Sequence, residues 1–138
     1  MKLQPDEAVR RLIAADVARL ATASAAAVPH IVAVTFAGVG GRIYIAIDRK
    51  PKSSTRLTRL RNIKQNPSVS LLVDHYTPDW EALWWARMDG RARVLEPGSA
   101  PDEAVGAFRV KYPQYREVPL DGPMIEIDPT RTTGWSYR

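Results

Sequence analysis

The chain has 138 residues, of which 45% are hydrophobic, and a formal net charge of +5 at pH 7. This length predicts a single domain, residues 1–138, with one core of its own. The sequence has no cysteine and only two histidines, His30 and His75, which excludes disulfides and thiol catalysis and argues against a metal centre. A redox function would therefore have to use an organic cofactor.

The hydropathy pattern and the charge limit where the protein acts and what it binds. No apolar run approaches the ~20 residues of a membrane helix, and the N-terminus lacks the charged-then-apolar order of a secretory signal. We therefore expect a cytoplasmic protein without a membrane partner. The positive charge indicates an anionic ligand. Nucleic acid is disfavoured, because the tryptophans lie among apolar residues rather than interleaving with the basic ones.

The first third of the chain predicts one helix and three strands. A helix begins at Pro5, carries acids in its first turn, and ends near Asp16. Three strands follow, separated by short turns that make them an antiparallel meander: 17–23, 28–36 and 42–48.

The next segment is the most basic part of the chain. Residues 49–64 contain no acid and seven basic side chains: Arg49, Lys50, Lys52, Arg56, Arg59, Arg61 and Lys64. Apolar residues recur every three positions within it, which predicts a basic amphipathic helix entered through a cationic turn. Ser53 or Ser54 can cap this helix, and its first N–H groups and dipole attract phosphate or carboxylate. The turn is therefore a candidate anion site, whereas the arginines of the helix body are also compatible with a solvated face.

Beyond the basic helix the pattern becomes mainly that of strands. Ser68–Tyr76 is almost continuously apolar, which predicts a strand buried on both faces. Residues 80–95 predict a long strand with tryptophans on both sides, one of which a second subunit would cover.

The chain closes with a predicted helix at 101–112, a proline-rich loop at 113–123, and two short strands at 124–127 and 132–137. Six or seven antiparallel strands with two or three helices predict a mostly β fold, a closed or half-closed barrel.

Several segments resemble a known family when they are taken in order. They are Leu20-Ala21-Thr22, Val28-Pro29-His30-Ile31-Val32-Ala33-Val34, Ile43-Tyr44-Ile45-Ala46-Ile47-Asp48, Lys50-Pro51-Lys52, Leu60-Arg61-Asn62-Ile63, Asn66-Pro67-Ser68-Val69-Ser70-Leu71-Leu72-Val73-Asp74 and Asp79-Trp80-Glu81-Ala82-Leu83-Trp84-Trp85. This order resembles the pyridoxamine-phosphate-oxidase-like (PPOX class) split β-barrel flavoproteins. Within them it is most similar to the F420-dependent flavin/deazaflavin oxidoreductase B group. The likeness covers roughly residues 5 to 95 and is weaker in the C-terminal third.

The resemblance implies a split β-barrel homodimer with two cofactor sites at its interface. The cofactor ring would lie against Val32, Val34 and the backbone around Ile47 and Asp48, with the aromatic pair Trp84 and Trp85 and the cation Arg87 supplied by the partner. The cofactor phosphate would be held by basic and hydroxyl side chains of the cationic turn, which here are Arg49, Lys50, Lys52, Ser53 and Arg56.

The resemblance also implies a reaction, hydride transfer between coenzyme F420 and a small organic acceptor. F420 is preferred over FMN because its anionic tail suits a long basic helix better than a single phosphate does. Such chemistry needs no catalytic side chain and no metal, and a proton could come from His30, Tyr44 or, as we prefer, solvent. Two alternatives stay open: an FMN-binding protein of the same fold, and a non-catalytic cofactor or haem carrier.

Overall fold

The protein is described by a computed structural model covering residues 1–47 and 54–138. Its α-helices are α1 (Pro5–Ala14), α2 (Ser54–Gln65) and α3 (Asp102–Lys111), with short 3-10 turns at Trp80–Ala82 and Pro113–Arg116. Its strands are β1 (Ala18–Ala23), β2 (Pro29–Val34), β3 (Phe36–Val39), β4 (Arg42–Ala46), β5 (Ser68–His75), β6 (Trp84–Leu95) and β7 (Met124–Ser136). The predicted mostly β fold is confirmed.

The strand order forces the sheet to curl. All pairings are antiparallel, and the order across the sheet is β2-β1-β5-β6-β7-β4-β3. Strands β2 and β3 therefore lie at opposite edges, yet Thr35 alone separates them in sequence. One residue spans at most about 3.6 Å, so the two edges must come together. The sheet is consequently a curled half-barrel, and the predicted strand at 28–36 is two strands rather than one.

The concave side of the sheet holds the main core. Alternate residues of each strand point inward, as Leu20 of β1 and Leu71 of β5 do, and both are fully buried. Leu12 of α1 and Ile63 of α2 add to this core. On the convex side, α3 packs Phe108 against β3, β4 and β7 in a second cluster.

The prediction that β5 is buried on both faces does not hold within one chain. Val69, Leu71 and Val73 are buried, but the strand alternates, with Ser70 and Leu72 only half-buried on the convex side. An apolar run shows that both faces of a strand tolerate burial. Whether each face is buried depends on which elements of the fold pack against it. Trp80 likewise leaves the predicted long strand for a 3-10 turn and is 70% exposed.

The C-terminal strand is continuous although two strands were predicted. Asp89 pairs with Arg131 and Gly90 with Pro129, so Thr130 is an extra residue in β7, and its hydroxyl donates to the Asp89 carbonyl at 3.1 Å. This bulge absorbs Pro129, which has no N–H for a regular ladder. Inward-facing positions accordingly change from odd (Ile125, Ile127) to even (Gly134).

Close backbone approach at the bulge makes Gly90 necessary. A Cβ atom there would lie 2.7 Å from the Asp128 carbonyl oxygen and 2.7 Å from Cγ2 of Ile127. We expect Gly90→Ala to lower the free energy of unfolding by about 1–3 kcal/mol through overpacking, measured by urea denaturation. Gly106→Ala is the matched control, because Gly106 has nothing within 4 Å and alanine stabilises a helix by roughly 0.5–1 kcal/mol. Equal effects of both substitutions would contradict the packing argument.

Candidate functional site

A cleft of about 230 Å³ opens where β2 passes into β3 and the edges of the sheet meet. We call it the seam cleft, and it is lined by Val17, Ala33, Val34, Thr35, Ala46, Arg59 and Tyr115. Four of its seven lining residues are apolar, and two hydroxyls and one guanidinium group form the polar part of the wall. Flat, largely apolar ligands with a few polar atoms are bound by cavities of this composition.

Two tyrosines at the end of α3 hold the junction beside the seam cleft. The Tyr112 hydroxyl accepts from the Phe36 backbone N–H at 3.1 Å and lies 2.7 Å from the Asp16 carbonyl, to which it donates. The Tyr115 hydroxyl lies 3.1 Å from Oγ1 of Thr35. The passage from β2 to β3 is thereby tied to residues about 80 positions later in the chain.

A partly buried lysine completes this tie. Nζ of Lys111 donates to the carbonyl oxygens of Phe36 at 3.0 Å and Ile13 at 3.1 Å, and it lies 3.7 Å from the centre of the Phe36 ring. Burial lowers the pKa of Lys111 from 10.5 to about 8, with a smaller opposing effect from Asp16. Charging this ammonium group therefore opposes folding, although its hydrogen bonds join α1 to β3.

Helix α2 borders the seam cleft and is fixed by polar contacts at its C-terminal half. Buried Asn62 donates to Oγ1 of Thr22 at 3.1 Å, and the Ala25 N–H donates to Oε1 of Gln65 at 3.2 Å. These contacts anchor the helix that carries Arg59 to β1. His30 is paired with Thr22 in the sheet register, and its Nδ1 is buried without a hydrogen-bond partner among the described residues.

The predicted ring-contacting residues Val32 of β2 and Ile47, directly after β4, face the core. Ile47 is 5% exposed and its N–H donates to the Pro123 carbonyl at 3.3 Å, which extends the ladder beyond β4. Val32 is partly buried against the same core. Any contact of Ile47 with a ligand would therefore use its backbone.

The predicted anion-binding turn lies outside the described residues. This applies to Asp48, Arg49, Lys50, Lys52 and Ser53, and to the side chain of Arg56. Their role stays a prediction.

Trp85 and Arg87 lie on the convex face of β6, away from Val32 and Ile47. They line a second cleft of about 420 Å³ with Leu72, Asp74 and Tyr76. Nε of Arg87 is 2.9 Å from Oδ1 of Asp89, so the guanidinium group already has an anionic partner. Within one chain, Val32 and Ile47 therefore lie apart from Trp85 and Arg87. This separation is expected if a partner chain supplied Trp85 and Arg87.

The neighbouring Trp84 faces the opposite way. It packs against the barrel core, with its ring stacked on that of His75 at a centroid distance of 6.4 Å and the Arg11 guanidinium 5.5 Å away. Trp84 is therefore a packing residue of its own chain, and its burial does not require a second subunit.

Sequence reasoning missed a buried carboxylate. Glu126 is 4% exposed and accepts from Arg93 at 2.7 Å, Tyr44 at 2.9 Å and Arg42 at 3.3 Å. Burial raises the pKa of Glu126, but the hydrogen bonds from Arg93 and Tyr44 and the two positive charges together lower it. Burial likewise raises the pKa of Tyr44, and its donation to Glu126 raises it further. The Tyr44 hydroxyl thus donates its hydrogen to Glu126 and does not point it into the seam cleft.

The described ranges contain no cluster of three or more histidine, cysteine, aspartate or glutamate side chains able to hold a metal ion. Within the same ranges, no helix has the length and apolar character needed to cross a membrane.

The titration of Lys111 gives a pH-dependent prediction. Because its pKa is about 8 when folded and 10.5 is its ordinary value, the unfolded chain binds more protons between these values, and stability from this group rises with pH in that window. We expect the parent to gain unfolding free energy relative to Lys111→Met between pH 8 and 10.5, and the difference to be flat below it. Urea titrations followed by tryptophan fluorescence measure this. Lys64→Met, at an exposed lysine, should give a flat difference; a flat difference for Lys111→Met would contradict the burial argument.

Solved structures of known proteins share this fold. The chain aligns with a FAD-binding protein from Mesorhizobium loti at a TM-score of 0.72 and 20% identity, covering 97% of this chain and 95% of that one. A conserved hypothetical protein from Mycobacterium tuberculosis aligns at 0.75 and 21% identity, covering 99% and 86%. The haem storage protein HutZ from Vibrio cholerae aligns at 0.70 and 13% identity, covering 97% and 95%.

The family likeness extends beyond the motifs of the first two thirds of the chain. No curated protein matches the chain in sequence. The family profile described as pyridoxamine 5'-phosphate oxidase matches residues 5–136, which includes the C-terminal third where the resemblance was weaker. The chain therefore belongs to the pyridoxamine 5'-phosphate oxidase family.

Proposed function

We propose that this protein is an oxidoreductase that binds coenzyme F420 at the seam cleft and transfers hydride between it and a small organic acceptor. The observation that carries the proposal is the cleft itself, which combines apolar walls with hydroxyl and guanidinium groups beside a basic helix, in a chain of this family. The likeness to a FAD-binding protein supports a flavin-type cofactor.

The size and charge of the site favour a ligand with a ring and a long anionic tail. At about 230 Å³ the cleft is smaller than the roughly 300–1,000 Å³ that holds a whole drug-sized ligand. It therefore suits a ring, while the rest of the molecule extends outward. Arg59 of α2 lines the cleft, and the sequence from Arg49 to Arg59 carries five basic residues and no acid, so positive charge continues along the chain beyond what a single phosphate needs. This continuation favours F420 over FMN.

The chain's own contribution to such a reaction is positioning. A bound deazaflavin supplies the hydride chemistry. The apolar walls formed by Val17, Val34 and Ala46 would exclude water and hold the ring at one face. Fixing two reactants at near-attack distance can supply about 7–11 kcal/mol of the barrier.

Cofactor choice is tested by a binding titration of F420 and FMN. Replacing Lys50 or Lys52 with alanine removes one charge-assisted contact, which is worth about 1.5–3 kcal/mol, so we expect the Kd for F420 to rise about 10- to 150-fold. Lys64→Ala is the matched control, since it removes the same charge from the last turn of α2, and we expect a much smaller rise. Equal losses of F420 affinity in all three variants would show that only the net charge of the protein matters. No loss of affinity in the Lys50 and Lys52 variants would refute the anion site.

We further propose that the functional unit is a homodimer formed through the convex face of β2, β1, β5 and β6. This face carries Ile31, 66% exposed, together with half-buried Leu72 and Trp85. Helix α3 covers the convex face of β3, β4 and β7 instead. A second copy packed on the uncovered part of the convex face would bury Ile31 and Leu72. It would also bring Trp85 and Arg87 to a site shared between two chains.

Dimerisation is tested with a charged substitution on this face. We expect Ile31→Asp to convert a dimer to a monomer in analytical ultracentrifugation, because it places a carboxylate in an apolar contact. Val110→Asp is the control: Val110 is 77% exposed but lies on α3, outside the proposed interface. Circular dichroism establishes that both variants fold. An Ile31→Asp protein that sediments like the parent would refute this interface.

A non-catalytic carrier is the second candidate function. It is favoured by the fold likeness to the haem storage protein HutZ and by the buried Nδ1 of His30, which lacks a partner among the described residues. Steady-state turnover with reduced F420 and a quinone, enone or nitro compound distinguishes an enzyme from a carrier. A Soret band on haemin addition that is lost in His30→Ala, without such turnover, would favour the carrier.

A further inference from the structure

We infer that the paired hydroxyls of Thr35 and Tyr115 form a hydrogen-bonding site for the ring of the cofactor, a role that rests on the proposed function. Both residues line the seam cleft, and their oxygens are 3.1 Å apart. They sit among the apolar wall residues Ala33, Val34 and Ala46. The two hydroxyls are therefore positioned to hydrogen-bond with polar atoms of a ligand. The apolar wall residues would hold the same ligand by van der Waals contact.

Counting hydrogens shows what the pair can offer. Two hydroxyls carry two hydrogens, and the contact between Thr35 and Tyr115 uses one of them, whichever residue donates. Neither hydroxyl makes another hydrogen bond within the described part of the chain. One O–H group is thus left to donate, and it lies at the wall of the cleft.

Tyr112 shows that the spare hydrogen is not a general property of this aromatic cluster. Its ring lies 5.8 Å from that of Tyr115, and both rings pack on Phe108. The Tyr112 hydroxyl, however, bonds to the backbone of Phe36 and Asp16. Tyr112 therefore joins distant parts of the backbone, whereas among the described residues the Tyr115 hydroxyl bonds only to the Thr35 side chain.

The matching ligand atom is a hydrogen-bond acceptor at the edge of a flat ring. Flavins and deazaflavins share a pyrimidinedione edge with two carbonyl oxygens, and these accept hydrogen bonds. The Thr35–Tyr115 pair would donate to one of them. Since FMN and F420 have this edge in common, the pair recognises the ring and does not distinguish their anionic tails.

The test is the binding of FMN and of F420 to Tyr115→Phe and Thr35→Val. We expect the Kd to rise about 3- to 10-fold for each variant, and by the same factor for both cofactors. Thr35→Ser keeps the hydroxyl and should bind like the parent. Tyr112→Phe is the control for structural damage, since it should lower the unfolding midpoint more than Tyr115→Phe while leaving the Kd within about twofold.

The outcomes separate this inference from the proposed function. If the parent binds neither cofactor, the proposed function fails and the ring site fails with it. If the parent binds but Tyr115→Phe binds equally well, or if Tyr112→Phe loses the same affinity, the ring site alone is refuted. Unequal losses of affinity for FMN and F420 would also refute the ring site, because the two hydroxyls would then contact the tail, in which the cofactors differ.

Discussion

The fold depends on one short connection, the passage from β2 to β3 through Thr35. Because the two strands occupy opposite edges of a seven-stranded sheet, a link of one residue closes the sheet into a half-barrel. The backbone of Phe36 is then bonded by Tyr112 and Lys111, and Thr35 by Tyr115. The same closure creates the seam cleft, so the feature that completes the fold also forms the candidate site.

The curled sheet divides the apolar side chains among three surfaces. The concave face forms the main core, α3 covers part of the convex face, and the rest of the convex face carries exposed Ile31 and half-buried Trp85. A barrel that covers only part of its outer face is suited to association with a copy of itself. Within one chain, Trp85 and Arg87 on that face lie apart from Val32 and Ile47, which is the arrangement expected if a second chain supplied one of the two groups.

Errors in the sequence-based prediction cluster where local pattern and long-range pairing disagree. The motif-bearing strands were located well, since β1, β4 and β5 lie close to their predicted bounds. The break at Thr35 was missed because 28–36 is uniformly strand-like, and only pairing with different neighbours separates its halves. The C-terminal strand was split because Pro129 suggests a break, whereas a bulge opposite Gly90 accommodates it. Tyr115 could not be assigned a role, because its partner Thr35 is 80 positions away.

The sequence by itself determined the class of the protein: strand-rich alternation, a basic amphipathic helix, the absence of cysteine, and ordered motifs shared with one family. These are local properties, set by the spacing and chemistry of neighbouring residues. The tertiary structure decided which faces are covered, which pair of hydroxyls has one hydrogen to spare, and where the buried Glu126 carboxylate meets Arg93 and Arg42, which lower its pKa. Such features arise from contacts between distant segments, which exist only after the sheet has curled and its edges have met.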